Sequence, residues 1–148
     1  MDLEEIKSEV KRITEGLGEK EILAVGLFGS LSRGDFDEMS DIDIFVITEK
    51  EIPLVEQDEL YQSFSPLISR FKKDVTVLFY DIESLKKIPT WQTLNLIKDA
   101  YFVYDRGEIE KLFGKILRKA NEEGIVFDPQ EKVFKLKKPE RMIFALTE

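Results

Sequence analysis

Cysteine and histidine are both absent from this chain of 148 residues. Without cysteine there is no disulfide framework, no thiolate metal site and no thiol nucleophile. Without histidine there is no Ser-His-Asp triad, no imidazole acid–base pair and no His–Zn site. Any chemistry has to run on carboxylates, hydroxyls, amines and guanidinium groups, helped at most by a hard metal ion. Long apolar runs are missing too, and no stretch reaches the roughly 18 residues a membrane helix requires. The opening MDLEEIKSEV is acidic and amphipathic, unlike a secretion signal, so the expected location is cytoplasmic. Positive charge is in the minority, with 22 basic residues against 30 acidic ones and a net charge of −8. A protein that coats DNA or RNA draws its affinity from a basic field, so no extended nucleic-acid binding is expected here.

What is present alternates between helical and extended patterns. Leu3, Ile6, Val10, Ile13 and Leu17 recur at spacings of three and four, which predicts a helix ending near Gly16 or Gly18. Ile22–Phe28 is a short apolar run that reads as a buried strand, ended by Gly29-Ser30, with a turn or short helical stub over 31–34. Residues 41–47 alternate before turning wholly apolar, as a strand does when one end faces solvent or a site. Helical periodicity over 54–71 is interrupted by Pro66, with Ser65 expected to cap the second piece. A strand over 75–80, a helix capped by Asp81 and running through Lys87, a helix over 91–98, a strand over 100–104 and a helix over 108–122 follow. The apolar runs 125–127, 133–136 and 142–146, set around Pro129 and Pro139, suggest a hairpin. This order predicts an α+β domain, a small mixed β-sheet with helices packed on it.

Chemistry concentrates in one region. Gly29 at a strand end permits a tight turn and close approach to a ligand, and Ser30 adds a hydroxyl where backbone N–H groups point outward. Such a bend suits a phosphate, and Arg33 is a further phosphate candidate in the same loop. Asp41 and Asp43 lie two apart on a strand, so their carboxylates share a face with Cα atoms roughly 7 Å apart. Their repulsion is about 2–3 kcal/mol at an effective dielectric near 20, and a divalent ion that takes carboxylates together with substrate phosphates relieves it. Asp74 opens the next strand and offers a third carboxylate, with Asp81 as a rival that looks more like a helix cap. Ser40 either caps the turn into Asp41 or touches the nucleotide. Asp-x-Asp alone is commonplace, and Asp35-Phe-Asp37 is a second copy read as ordinary loop. A Gly-Ser closing one apolar strand just before an Asp-x-Asp that opens the next is the rarer conjunction.

This arrangement resembles the minimal nucleotidyltransferase branch of the DNA polymerase β-like nucleotidyltransferase superfamily. The resemblance covers residues of about 21–106 and includes LIKDAYFVYDR, which is similar to the family's closing strand. It implies a polymerase β palm-like fold in a single domain over 1–148, leaving 107–148 as a C-terminal helix and tail of unassigned role. It also implies an enzyme that moves a nucleoside monophosphate from an NTP, ATP first among them, to an acceptor hydroxyl with release of pyrophosphate. Gly29 and Ser30 would hold the triphosphate, and Asp41 and Asp43 would bind two Mg²⁺ ions. Asp74 would complete one metal site and help deprotonate the acceptor. Minimal members are often encoded beside a helical HEPN protein, so the resemblance implies a HEPN-type partner, neutralised by association or by AMP transfer, as the alternative role. A homodimer is a further expectation.

Other features have blander readings. Trp91, Tyr101, Phe102 and Tyr104 are expected in the core rather than as a base-stacking platform. Leu112, Phe113, Ile116, Leu117 and Ala120 form a stripe that reads as core or dimer contact. Lys135, Lys137, Lys138 and Arg141 read as a solvated face, and Lys72 and Lys73 as either phosphate contacts or solvated charges.

Overall fold

The sheet is built on Ile22–Phe28 (β1), which is apolar along its whole length because it lies in the interior of the sheet with both faces covered. The computed structural model describes residues 3–17, 21–34, 37, 39–87, 91–131 and 133–136. Around β1 run Leu3–Glu15 (α1), Gly29–Arg33 (α2), Ile42–Thr48 (β2), Leu54–Phe64 (α3), Pro66–Phe71 (α4), Val75–Asp81 (β3), Ile82–Lys87 (α5), Trp91–Asp99 (α6), Tyr101–Asp105 (β4) and Ile109–Glu122 (α7). A separate hairpin, Ile125–Asp128 (β5) and Val133–Leu136 (β6), follows.

Strand order is β3-β2-β1-β4. β1 pairs antiparallel with β2 and β4, whereas β2 and β3 are parallel, with α3 and α4 forming the crossover between them. The sheet is therefore mixed and the class α+β, as the element order predicts. The alternation of strand side chains splits the core in two. One face gathers Val25, Leu27, Ile44 and Val46 against Ile6 and Val10 of α1, Leu60 and Phe64 of α3, and Phe71 of α4. The other gathers Ala24, Phe45 and Ile47 against Leu85 of α5, Leu94 and Ile97 of α6, and Phe113 and Ile116 of α7. Phe45 meets Phe102 edge-on at 5.2 Å and Phe113 at 5.7 Å, pairs worth about 0.5–1.5 kcal/mol each beyond their buried area.

Helix ends follow local chemistry. The Asp105 carboxylate accepts from the Ile109 and Glu110 N–H groups at 2.8 and 2.9 Å, capping α7 with a negative charge at its positive end. Asp81 accepts from the Ser84 N–H and hydroxyl and so caps α5 as expected. Pro66 does divide α3 from α4, but Ser65 does not cap α4 through its side chain, because its hydroxyl donates back to the Gln62 carbonyl at 2.8 Å. The aromatic expectation needs a larger correction. Phe102 is in the core, but Trp91, Tyr101 and Tyr104 are exposed, the two tyrosines because β4 is an edge strand. The α7 stripe is core, and β5 and β6 form the expected hairpin, closed by the Phe127–Phe134 contact at 5.3 Å. Lys135 faces solvent and pairs with Asp128 and Glu131. Lys137, Lys138, Arg141 and the apolar run 142–146 lie outside the described residues.

Candidate functional site

Two antiparallel neighbours such as β1 and β2 can be joined by two residues, yet this chain spends residues 29–41 on the connection. That excess holds the candidate site. β1 ends at Phe28, Gly29 takes φ +75°, and α2 begins without a side-chain cap on its first N–H groups. Its far end closes on Gly34 at φ 84°, whose N–H donates to the Ser30 and Leu31 carbonyls.

β2 pairs Asp43 with Phe28, so Asp43 lies beside the end of β1. A Cβ placed on Gly29 would stand 2.5 Å from Asp43 Oδ2, which shows how closely the carboxylate approaches that bend. Asp43 is half-buried and Asp41 exposed. Burial pushes the Asp43 carboxyl up to about 6, and the neighbouring Asp41 charge adds to the rise, while the Arg33 guanidinium opposes it. A carboxylate crowded by burial and by a second carboxylate is a place where added positive charge is favourable.

Asp74 enters through the parallel register. Ile42 aligns with Val75 and Asp43 with Thr76, and the Ile42 N–H donates to the Asp74 carbonyl at 2.9 Å. The same offset carries Asp74 to the entry of β3 next to the entry of β2, where Asp41 stands, and the charge of Asp41 acts on Asp43. Among the described residues no three acidic groups are gathered into a set that could hold a metal unaided. Mg²⁺ commonly takes one or two carboxylates and completes its shell with water and substrate phosphates, so this all-oxygen donor pair fits that ion. The rival Asp81 sits at the opposite end of β3, paired with Thr48. There it lines an open groove of about 320 Å³ with Glu51, Ile52 and Tyr80, away from Asp43.

Arg33, at the end of α2, donates to Asp99 Oδ2 at 2.7 Å while remaining near enough to Asp43 to affect its ionisation. Ser40 accepts from the Asp37 N–H at 2.9 Å and donates to Asp37 Oδ1 at 3.3 Å, so its hydroxyl closes the turn before Asp41.

Asp99 was not among the residues singled out from the sequence. Its carboxylate is almost wholly buried and takes Arg33 on one oxygen and Lys98 on the other. The Ser32 hydroxyl donates to its carbonyl, so α6 holds α2 through both side chain and backbone. A signal existed, since an aspartate at the negative end of an apolar helix is unfavourable unless paired. Asp99→Asn is expected to destabilise the fold by about 1–2 kcal/mol, the range of a charged hydrogen bond whose partners still reach water, as measured by urea denaturation.

Residues 9–108 match the family model described as polymerase beta, nucleotidyltransferase. A Methanocaldococcus jannaschii protein named as a protein adenylyltransferase is 32% identical over 90 residues, covering 61% of this chain and 87% of that protein. A chain in a toxin–antitoxin crystal structure with AMP-PNP superposes with a TM-score of 0.56 at 20% identity, covering 78% of this chain and 87% of that one. A chain in the complex of tri-AMPylated Shewanella oneidensis HEPN toxin with MNT antitoxin gives a TM-score of 0.53 at 18% identity, covering 82% of this chain and 88% of that one. At these identities the two structures establish a shared fold.

Proposed function

The chain belongs to the polymerase β nucleotidyltransferase family, and from that membership we propose that it transfers AMP from ATP to a hydroxyl on a protein acceptor, releasing pyrophosphate. The observation that carries the reading is Asp43 closed against the Gly29 bend, with the Asp41 charge just ahead of β2 close enough to raise its carboxyl. Adenylyl transfer to a protein is the activity named for the M. jannaschii relative.

Each residue then has a task. The uncapped N–H groups at the start of α2 and the Ser30 hydroxyl donate to the triphosphate, and Gly29 lets the backbone come close. Arg33, whose charge reaches Asp43, balances phosphate charge. Asp41 and Asp43 supply oxygen ligands for Mg²⁺, two ions being proposed. Asp74 carries an exposed carboxylate that takes the proton from the acceptor hydroxyl, and water and phosphate oxygens complete the ligand set. Bound with the nucleotide, the metal supplies neutralisation of charge at the reacting phosphoryl group. Catalysis in such a site is positioning together with charge stabilisation.

The test is label transfer from α-labelled ATP to candidate protein acceptors in the presence of Mg²⁺. Asp41→Asn is expected to lower transfer by about 10²–10³-fold, the scale of removing one preorganised charge-stabilising group. Because Asp41 is exposed and its charge is repelled by Asp43, the melting temperature of the variant should not fall below that of the wild type. Absence of both label transfer and metal-dependent nucleotide binding in the folded protein would overturn the reading.

A second reading is an antitoxin role, supported by structural neighbours that occur in toxin complexes. In that role the acceptor is a helical HEPN-type protein. Met39, 88% exposed just before Asp41, offers an apolar contact for such a protein at the rim of the site. Co-expression separates the two modes, because neutralisation that survives Asp41→Asn is by association alone.

A further inference from the structure

Lysine is rarely buried, yet Lys73 is only 5% exposed. The preceding Lys72 closes α4 in the left-handed region at φ 57°, ψ 42°, a conformation that non-glycine residues adopt only when the surroundings impose it. Lys72 remains exposed through this turn while Lys73 is directed inward.

The Lys73 ammonium donates to two backbone carbonyls, Asp37 O at 2.7 Å and Ser40 O at 2.9 Å. The Ser40 N–H also donates to the Asp37 carbonyl at 3.1 Å, so the ammonium sits across the mouth of a closed turn. One residue further on, the Asp74 carbonyl accepts from the Ile42 N–H at 2.9 Å. Asp41 is thus fastened on both sides, its preceding carbonyl by the Lys73 side chain and its following N–H by the Asp74 backbone. Charge-assisted bonds of this kind are stronger than neutral ones, and because they reach main chain they act whatever side chains the turn carries.

We propose that Lys73 is a positioning residue for nucleotidyl transfer, fixing the backbone at Asp41 so that the Asp41 and Asp43 carboxylates meet the nucleotide as a set pair. The role rests on the transferase reading above. A fixed pair matters because displacement of a reacting group by about 1 Å can lower a rate by about a hundredfold.

Lys73→Met keeps the apolar stem and removes the ammonium. It is expected to lower kcat by about a hundredfold with KM for ATP unchanged. Amide hydrogen exchange without nucleotide should quicken at Ser40 and Ile42 while β1 keeps its protection. Exchange that rises evenly through β1 and β2, or a wild-type kcat, would overturn the proposal. Should Lys73→Met fail to fold, Lys73→Arg decides, since it keeps a charged donor. Exchange at Ser40 and Ile42 that tracks kcat, both retained or both lost, supports the clamp, and one changing without the other overturns it. If the wild type transfers no label, the reaction assignment fails, and the Lys73→Met exchange pattern still decides whether Lys73 holds the turn.

Discussion

Asp43→Asn is expected to make the protein more stable at pH 7 while abolishing transfer. The carboxyl is held at about 6 in the folded chain against an ordinary value of 3.8, through burial first and the Asp41 charge second, with Arg33 offsetting part of the rise. The folded state therefore binds this proton more tightly than the unfolded state. Below about pH 4 the group is protonated in both states and carries no penalty. As pH rises from 4 to 6 the unfolded chain ionises first and stability falls, and above 6 the whole penalty is present. Roughly two units at about 1.4 kcal/mol each would make about 3 kcal/mol in a dry site, and screening at a half-buried carboxyl leaves about 1–2 kcal/mol. An amide has nothing to ionise, so the difference in urea stability between wild type and Asp43→Asn should be flat below pH 4 and widen in the variant's favour up to pH 6. A pH-independent difference would count against the electrostatic account. ATP with Mg²⁺ should raise the melting temperature of the wild type and leave that of the variant where it is, because ligand stabilises only a state that binds it.

The crowding of charge at Asp43 was legible in outline from the sequence, since an Asp-x-Asp at the entry of a strand places two like charges on one face by period alone. The short apolar runs that become β1, β2 and β3 were legible for the same reason, and Pro66 marked the α3–α4 break through its missing N–H and its ring. Residues whose role depends on distant partners were not. Asp99 meets Arg33 across 66 positions of chain, a separation that no local pattern encodes. Lys73 turns inward directly after Lys72 takes the left-handed region, with no glycine to announce the turn. Tyr101 and Tyr104 share the composition of a core strand, and their exposure follows from the place of β4 at the sheet edge, a property of topology rather than of the residues.

Gly29→Ala and Gly26→Ala should fail in opposite ways, and the contrast tests whether the Gly29 bend belongs to the chemistry. A Cβ on Gly26 would lie 2.3 Å from the Tyr101 backbone oxygen and 2.4 Å from Phe45 Cζ. The first is main chain of the paired strand β4 and the second a fully buried ring, so neither can yield without moving the sheet. Overpacking of that kind costs about 1–3 kcal/mol and here belongs at the upper end, so Gly26→Ala should lose stability while its folded fraction keeps its turnover. At Gly29 the obstacle is Asp43 Oδ2, the far end of a side chain that can rotate away. Stability then falls by only about 1–2 kcal/mol, from placing a Cβ at φ +75°. The carboxylate is driven off the bend in the process, and transfer should fall by about a hundredfold. Melting temperature and kcat measured on both variants, at a temperature where both are folded, separate the two effects. Full activity in Gly29→Ala would mean that the approach of Asp43 to the bend is incidental to the reaction.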